Sequence, residues 1–253
     1  MTGIDATGVW LYAVTRRAAG ETPPGVAGEA TRVVEAAGLA AVVGDVPLAS
    51  FGEEPLRRNL EDLDWLARVA RAHDAVIMAL TGAQPVVPIR LATVYHDDAA
   101  VRAVVERRAG DFRRTLEHVT GRVEWGVKAF LKAEPEPAGA VARGEGAGRA
   151  YLARRRSALA SREERQQRAA ADVGRVHATL SELAVDVRTH PPQSRALAGD
   201  NGPMVLNGAY LVDAAETARF AEAVQACDRE SDLLSVSLTG PWPPYSFAAQ
   251  EEP

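Results

Sequence analysis

The sequence has a single cysteine, Cys227, so no disulfide can form within the chain. This scarcity fits a reducing compartment. The chain also lacks any apolar run near the roughly 20 residues that a membrane-spanning helix requires. The residues before the first apolar stretch include no lysine or arginine, which is untypical of a secretory signal. We therefore expect a cytoplasmic protein with no membrane partner.

Residues that commonly carry catalysis are also sparse. The five histidines are scattered, and no two have the short spacing of a metal site. No Gly-x-Ser-x-Gly nucleophile motif occurs. We expect His73 to be a hydrogen-bonded, partly buried residue and Cys227 to be a buried, unreactive thiol. These patterns predict no catalytic residues, no cofactor and no metal, with an enzyme that uses paired carboxylates as an alternative.

Positive charge is in short supply as well. The chain has 29 lysines and arginines against 34 aspartates and glutamates, which gives a net charge of -5. Proteins that bind nucleic acid carry a basic footprint, so we expect no nucleic-acid partner. The arginine run at 154–156 is followed closely by Glu163 and Glu164, and this mixture predicts a solvent-exposed helix face.

The patterns that are present predict a mixed α+β fold of two domains. Residues 1–133 are expected to form an N-terminal ferredoxin-like (split βαβ) sandwich. The proline- and glycine-rich stretch 134–148 predicts a linker or long loop. Residues 149–253 are expected to form a C-terminal α+β domain that begins with a long helix and ends in a Gly-Pro-Trp-Pro-Pro-Tyr tail.

The long helix has apolar residues at intervals of seven, as in a helix that packs along one stripe. Arg155, Arg162 and Gln166 interrupt this stripe in the first half of the helix. We therefore expect the helix to pack by its C-terminal half and to project at its N-terminal half.

The most distinctive pattern is Gly240-Pro-Trp-Pro-Pro-Tyr-Ser-Phe247. Its prolines fix φ, and a polyproline-like conformation would place two aromatic rings on one side. One interpretation is that the segment folds back and seals its own domain, in which case truncating either ring to alanine should cost about 3 kcal/mol. The other is a docking surface for a partner. The candidate partner-binding or structural residues are Trp242, Pro243, Pro244, Tyr245 and Phe247.

The last strand and this octapeptide, residues 235–247, resemble the C-terminal signature of the gas vesicle F/L family (GvpF/GvpL). Further matches to that family follow in order along the chain, at 10–14, 38–43, 73–76, 85–95, 123–128 and 207–212. The segment 85–95 is similar to the family's Val-x-Pro-x-Arg-Phe-Gly-Thr stretch. Leu91 and Ala92 stand where Phe-Gly is usual, a change that we expect to be conservative for packing.

This resemblance implies two α+β domains and an accessory or minor structural role in building the gas-filled shell that provides buoyancy. It also implies contact with the hydrophobic shell protein A and with other gas vesicle accessory proteins, and no catalysis. Both F-type and L-type members fit the pattern. The alternative is a small-molecule-binding regulatory protein built on ferredoxin-like domains, because fold alone does not define function.

Overall fold

The computed structural model describes residues 6–18, 20–133, 147–192 and 202–248. The chain packs as two compact units. The first unit combines Met1–Glu124 with Pro241–Pro253, and the second unit is Trp125–Gly240. The C-terminal residues therefore belong to the same unit as the N-terminal ones, whereas the sequence placed them in the C-terminal domain.

The first unit is built on a five-stranded sheet. Its strands share high β-branched content and are β1 (Thr7–Thr15), β2 (Arg32–Ala36), β3 (Leu39–Pro47), β4 (Val86–Pro88) and β5 (Val94–Tyr95). The strand order is β2-β3-β1-β4, and β5 also pairs with β1. The pairs β1–β3, β1–β4, β1–β5 and β2–β3 are all antiparallel.

Helices cover both faces of this sheet. One face packs against α1 (Leu48–Phe51), α2 (Glu53–Asn59) and α3 (Leu63–Thr81), and the other against α4 (Asp98–Arg107) and α5 (Ala109–Val119). Residues 9–12 of β1 point alternately into the two cores: Trp10 lies in the core under α3, and Leu11 lies in the core under α4 and α5. The alternation breaks at Ala13, which shares the core of Tyr12, because the pairing register with β3 shifts there. Burial on both faces explains why eight of the nine residues of β1 are buried.

The α+β class is confirmed, and the strand order is the one expected for a split βαβ fold. The structure differs in its crossovers, because a split βαβ fold has a helix in each of them. The described residues between β1 and β2 form no helix, whereas α1, α2 and α3 fill the connection from β3 to β4. The proline- and glycine-rich composition of residues 20–28 accounts for the missing helix.

The second unit has a four-stranded sheet with the order β7-β8-β6-β9. These strands are β6 (Arg122–Leu131), β7 (Asp186–Thr189), β8 (Met204–Asp213) and β9 (Leu234–Trp242). Helix α6 (Ala147–Ser181) and helix α7 (Thr217–Glu230) contact each other and β8. Tyr210 links them, because its ring packs against Phe220 with centroids 5.5 Å apart and its hydroxyl lies 3.0 Å from Nδ1 of His177.

Among the side chains of α6 that the structure describes, the buried ones lie in its C-terminal half, as the interrupted stripe predicted. Ala169, Val176 and Leu180 are buried. Between residues 155 and 168 every side chain is exposed except Arg165, which is half-buried and donates to the carbonyl oxygen of Lys132.

Three sequence predictions need correction. The alternating residues 122–133 predict a strand of the first domain, but the strand is β6 of the second sheet. The apolar stripe along residues 56–80 predicts one helix. The structure has two, because Asp62 caps α3 by accepting hydrogen bonds from the backbone nitrogens of Asp64 and Trp65. Asp213, with Glu216 three residues on, predicts a helix cap, but it makes no capping bond, and a 3-10 turn at Ala214–Glu216 precedes α7. Most of the predicted linker, residues 134–146, lies outside the described residues.

Candidate functional site

The candidate site is the C-terminal segment 241–248, which completes the first unit. The chain enters it from β9 through Gly240, whose φ of 119° lies in the region that favours glycine. Pro243 and Pro244 are buried, and helix α8 (Tyr245–Ala248) follows directly. The carbonyl oxygen of Pro244 accepts hydrogen bonds from the backbone nitrogens of Phe247 and Ala248, at 3.2 and 2.9 Å.

This geometry corrects the polyproline prediction. The prolines lead from an edge strand into one helical turn, because Pro fits the entry to a helix, where a backbone donor is not needed. As a result, Trp242 and Tyr245 do not form one ledge. Trp242 ends the strand and is 49% exposed, whereas Tyr245 begins the helix and packs against the core under α3.

A buried carboxylate holds the start of α8. Glu124 is 7% exposed, and its two oxygens accept from the backbone nitrogen of Ser246 at 2.8 Å and from the Ser246 hydroxyl at 2.7 Å. Burial raises the pKa of Glu124, and the hydrogen bonds from Ser246 oppose that shift. The carboxylate satisfies a helix-start donor that would otherwise be unpaired. No sequence pattern predicted this contact, since the partners are 122 positions apart.

Two aromatic residues of the segment are anchored to the first unit. The Tyr245 hydroxyl donates to Oδ1 of Asp74 on α3 at 2.6 Å. Burial, followed by the hydrogen bond to Asp74, raises the pKa of Tyr245. Phe247 is 5% exposed, and Ala248 belongs to the core under α4 and α5. The segment is thus fixed at three points, and its one exposed ring is Trp242.

A polar network lies in the core beneath α3. The indole nitrogen of Trp10 donates to Nδ1 of His73 at 3.1 Å, and Nε2 of His73 lies 3.0 Å from the carbonyl oxygen of Ile89. His73 is therefore neutral with its proton on Nε2, and burial lowers its pKa. Its ring stacks on Tyr12, whose hydroxyl donates to Glu29. His73 is hydrogen-bonded as the sequence predicted, but it is fully buried rather than partly buried.

A small cleft borders the segment where Ala248 meets Arg108 and Phe112. The Arg108 guanidinium lies 5.2 Å from the centroid of the Phe112 ring. The cleft has a volume of about 90 Å³. Metabolite sites are usually several times larger, so this cleft does not favour a small-molecule regulator.

The described residues contain neither a cluster of metal-ligand side chains nor a membrane-spanning helix. No group of three or more histidine, cysteine, aspartate or glutamate side chains in those ranges is arranged to hold a metal ion. In the same part of the chain, no helix is long and apolar enough to cross a membrane. Cys227 is half-buried, and burial raises the pKa of its thiol, which disfavours the reactive thiolate.

The fold and the anchored segment define a class: two-unit α+β proteins in which a proline-aromatic C-terminal segment completes the N-terminal unit. Residues 8–249 match the family model described as gas vesicle synthesis protein GvpL/GvpF. The chain belongs to the GvpL/GvpF family of gas vesicle proteins.

Relatives and solved structures agree with this membership. The chain is 47% identical to gas vesicle protein L of Streptomyces sp. (strain CB03234), over 96% of this chain and 93% of the relative. It is 27% identical to gas vesicle protein F of the same strain, over 94% of this chain and 98% of that relative. Crystal structures of GvpF from Anabaena sp. PCC7120 and from Microcystis aeruginosa share the fold, with TM-scores of 0.67 and 0.66. Their identities are 20% and 16%, and each alignment covers at least 96% of both chains.

Proposed function

We propose that this protein is a non-catalytic accessory or minor structural protein that assists assembly of the gas vesicle shell. In this proposal it acts at the gas vesicle, binds the hydrophobic shell protein A, and contacts other accessory proteins. The observation that carries the proposal is Trp242, a half-exposed indole on a segment whose following residues, 243–248, are buried or hydrogen-bonded. Family membership supports the gas vesicle role.

The physical argument rests on preorganisation. A tryptophan ring buries a large area when a partner covers it, and tryptophan is enriched among the residues that dominate binding energy. Ordering a side chain on binding costs conformational entropy, and a fixed backbone reduces that cost. Pro243 and the anchor at Glu124 fix the backbone that presents Trp242. An apolar shell subunit is a suitable partner for such a ring.

Met78 extends the proposed surface. It is 47% exposed on α3, one helical turn beyond Asp74, which holds Tyr245. Methionine adapts its shape to apolar partners because it is unbranched and flexible. We include Met78 with Trp242 in the proposed docking surface.

The test is Trp242→Ala in a pull-down with purified shell protein A. We expect the free energy of unfolding to change by less than about 1 kcal/mol, since the ring is half-exposed, while affinity falls at least about tenfold. Val185→Ala, which alters another exposed apolar residue, serves as the control and should bind normally. A folded Trp242→Ala variant that binds as tightly as the natural protein would overturn the proposal.

A further inference from the structure

The N-terminal half of α6 presents a basic face with no assigned role. Residues 154–168 carry six arginines and two glutamates in a chain whose net charge is -5. At 100° per residue, Arg155 and Arg162 lie on the same side of the helix as Leu159, and Arg156 and Glu163 flank it on the other side. Leu159 is 53% exposed. We call Arg155, Leu159 and Arg162 the basic face.

The arginines of the basic face form no ion pair with any described residue, and their side chains are exposed. A helix that packs on nothing usually carries ion pairs along its length or contacts a partner. These two arginines also replace apolar residues in the stripe that packs α6 farther along. The pattern therefore changes from one suited to a core to one suited to an acidic surface that contains an apolar residue.

Such a surface exists in this chain at the turn between α2 and α3. Leu63 is 78% exposed, the highest value among the large exposed apolar side chains of the described residues. Glu61, Asp62 and Asp64 surround it in the sequence and are also exposed. Asp62 caps α3, whereas the carboxylates of Glu61 and Asp64 pair with no described side chain. We call Glu61, Leu63 and Asp64 the acidic corner.

We propose that the basic face of one copy docks on the acidic corner of a second copy of this chain. Both surfaces have the same composition with opposite charge: an exposed leucine between two charged side chains. Arg155 and Arg162 lie about 10 Å apart along the helix, with Leu159 between them. Their long, flexible side chains can adjust this distance to the spacing of the two carboxylates. Each guanidinium can bind a carboxylate through two hydrogen bonds, and the leucines cover each other.

Because the two surfaces differ, the contact is head-to-tail, and each copy keeps one free surface of each kind. Such a contact produces open chains unless the rotation between copies closes a ring. Exposed ion pairs contribute little each and are screened by salt, so association is weak and salt-dependent. Neither surface includes Trp242, so this inference does not depend on binding to shell protein A.

Sedimentation velocity across a concentration series tests the contact. The natural protein should increase in mean mass with concentration at low salt and return towards the monomer at high salt. Arg155→Glu/Arg162→Glu and, separately, Glu61→Arg/Asp64→Arg should each remain monomeric, because like charges then face each other. The control for the first variant, Arg107→Glu/Arg229→Glu, makes the same net-charge change at exposed positions elsewhere and should associate normally.

Mixing the two reversed variants gives the decisive result. Each surface of one variant is complementary to a surface of the other, so the equimolar mixture should regain the concentration-dependent mass that neither variant has alone. Circular dichroism confirms that both variants are folded, which is expected because all four side chains are exposed. A natural protein that stays monomeric at low salt, or a mixture that does not associate, would overturn the proposal. Association that survives either charge reversal would place the contact elsewhere.

Discussion

His73 shows how a residue that often performs catalysis can instead be fixed by its surroundings. It is 2% exposed, accepts from Trp10 and contacts the carbonyl oxygen of Ile89. Only the neutral ring satisfies both contacts, since a protonated imidazole has no acceptor for the indole N–H. Protonation would therefore break a buried hydrogen bond as well as bury a charge.

This arrangement predicts a pH dependence of stability. The pKa of His73 is lowered in the folded state, chiefly by burial, so the unfolded chain binds the proton more tightly. The contribution of His73 is complete above the unfolded pKa of about 6.5 and is lost as pH falls towards the folded pKa. Between pH 8 and pH 5, the free energy of unfolding measured with denaturant should fall more steeply for the natural protein than for His73→Gln. Equal slopes for the two proteins would contradict this assignment.

Ala92 shows the limit of a sequence comparison that considers volume alone. The Leu91–Ala92 pair was expected to be conservative for packing, but Ala92 has a φ of 67°, in the left-handed region. A Cβ atom is disfavoured there, which is the physical reason for glycine at this position in the family pattern.

We predict that Ala92→Gly stabilises the protein by about 0.5–1 kcal/mol, because relief of the left-handed strain exceeds the added entropy of the unfolded chain. Urea denaturation measures the change. Ala100→Gly within α4 is the control and should destabilise by about 1 kcal/mol. If Ala92→Gly also destabilised the protein, backbone strain at residue 92 would not explain the usual glycine.

At the scale of elements, the C-terminal segment combines a strand end, two prolines and one turn of helix. We expect Phe247→Ala to cost about 3 kcal/mol, since the ring is buried. Tyr245→Phe should cost only about 1 kcal/mol, because it removes one hydrogen bond and keeps the ring. Thermal unfolding of the two variants and of Trp242→Ala ranks the three residues by the stability that each substitution removes. Equal losses at all three positions would mean that the exposed Trp242 ring is as structural as Phe247.

The sequence predicted much of the secondary structure but less of the way elements associate. Local periodicity predicts strands over residues 39–46 and 204–212 and a helix over about 149–183. The structure has these elements within a few residues, at Leu39–Pro47, Met204–Asp213 and Ala147–Ser181. Strand β2 is only five residues long, and its alternation was too brief to detect. The contact of Glu124 with Ser246 depends on tertiary structure alone. The candidate segment was located from its prolines and aromatics, but which ring faces solvent depends on partners such as Asp74.

At the scale of the whole molecule, the first unit is discontinuous in sequence. We predict that a chain ending at Gly240 loses stability mainly in the first unit, because Tyr245 and Ala248 no longer pack into its two cores and Glu124 loses its partner. Hydrogen exchange should increase in β1 and α3, while β8 and α7 keep their protection. A chain ending at Ala248 is the control and should exchange as the natural protein does. Uniform protection in the shorter chain would mean that the segment contributes nothing to the first unit.

Discontinuity also sets an order of events during synthesis. The residues that complete the first unit are translated only after the entire second unit has been made, a delay on the order of 10 s at ordinary elongation rates. During that interval the nascent chain holds a sheet whose cores still lack Tyr245 and Ala248 and a carboxylate at Glu124 that lacks Ser246. The first unit, whose strands leave the ribosome before those of the second unit, is therefore the last of the two to reach its final form.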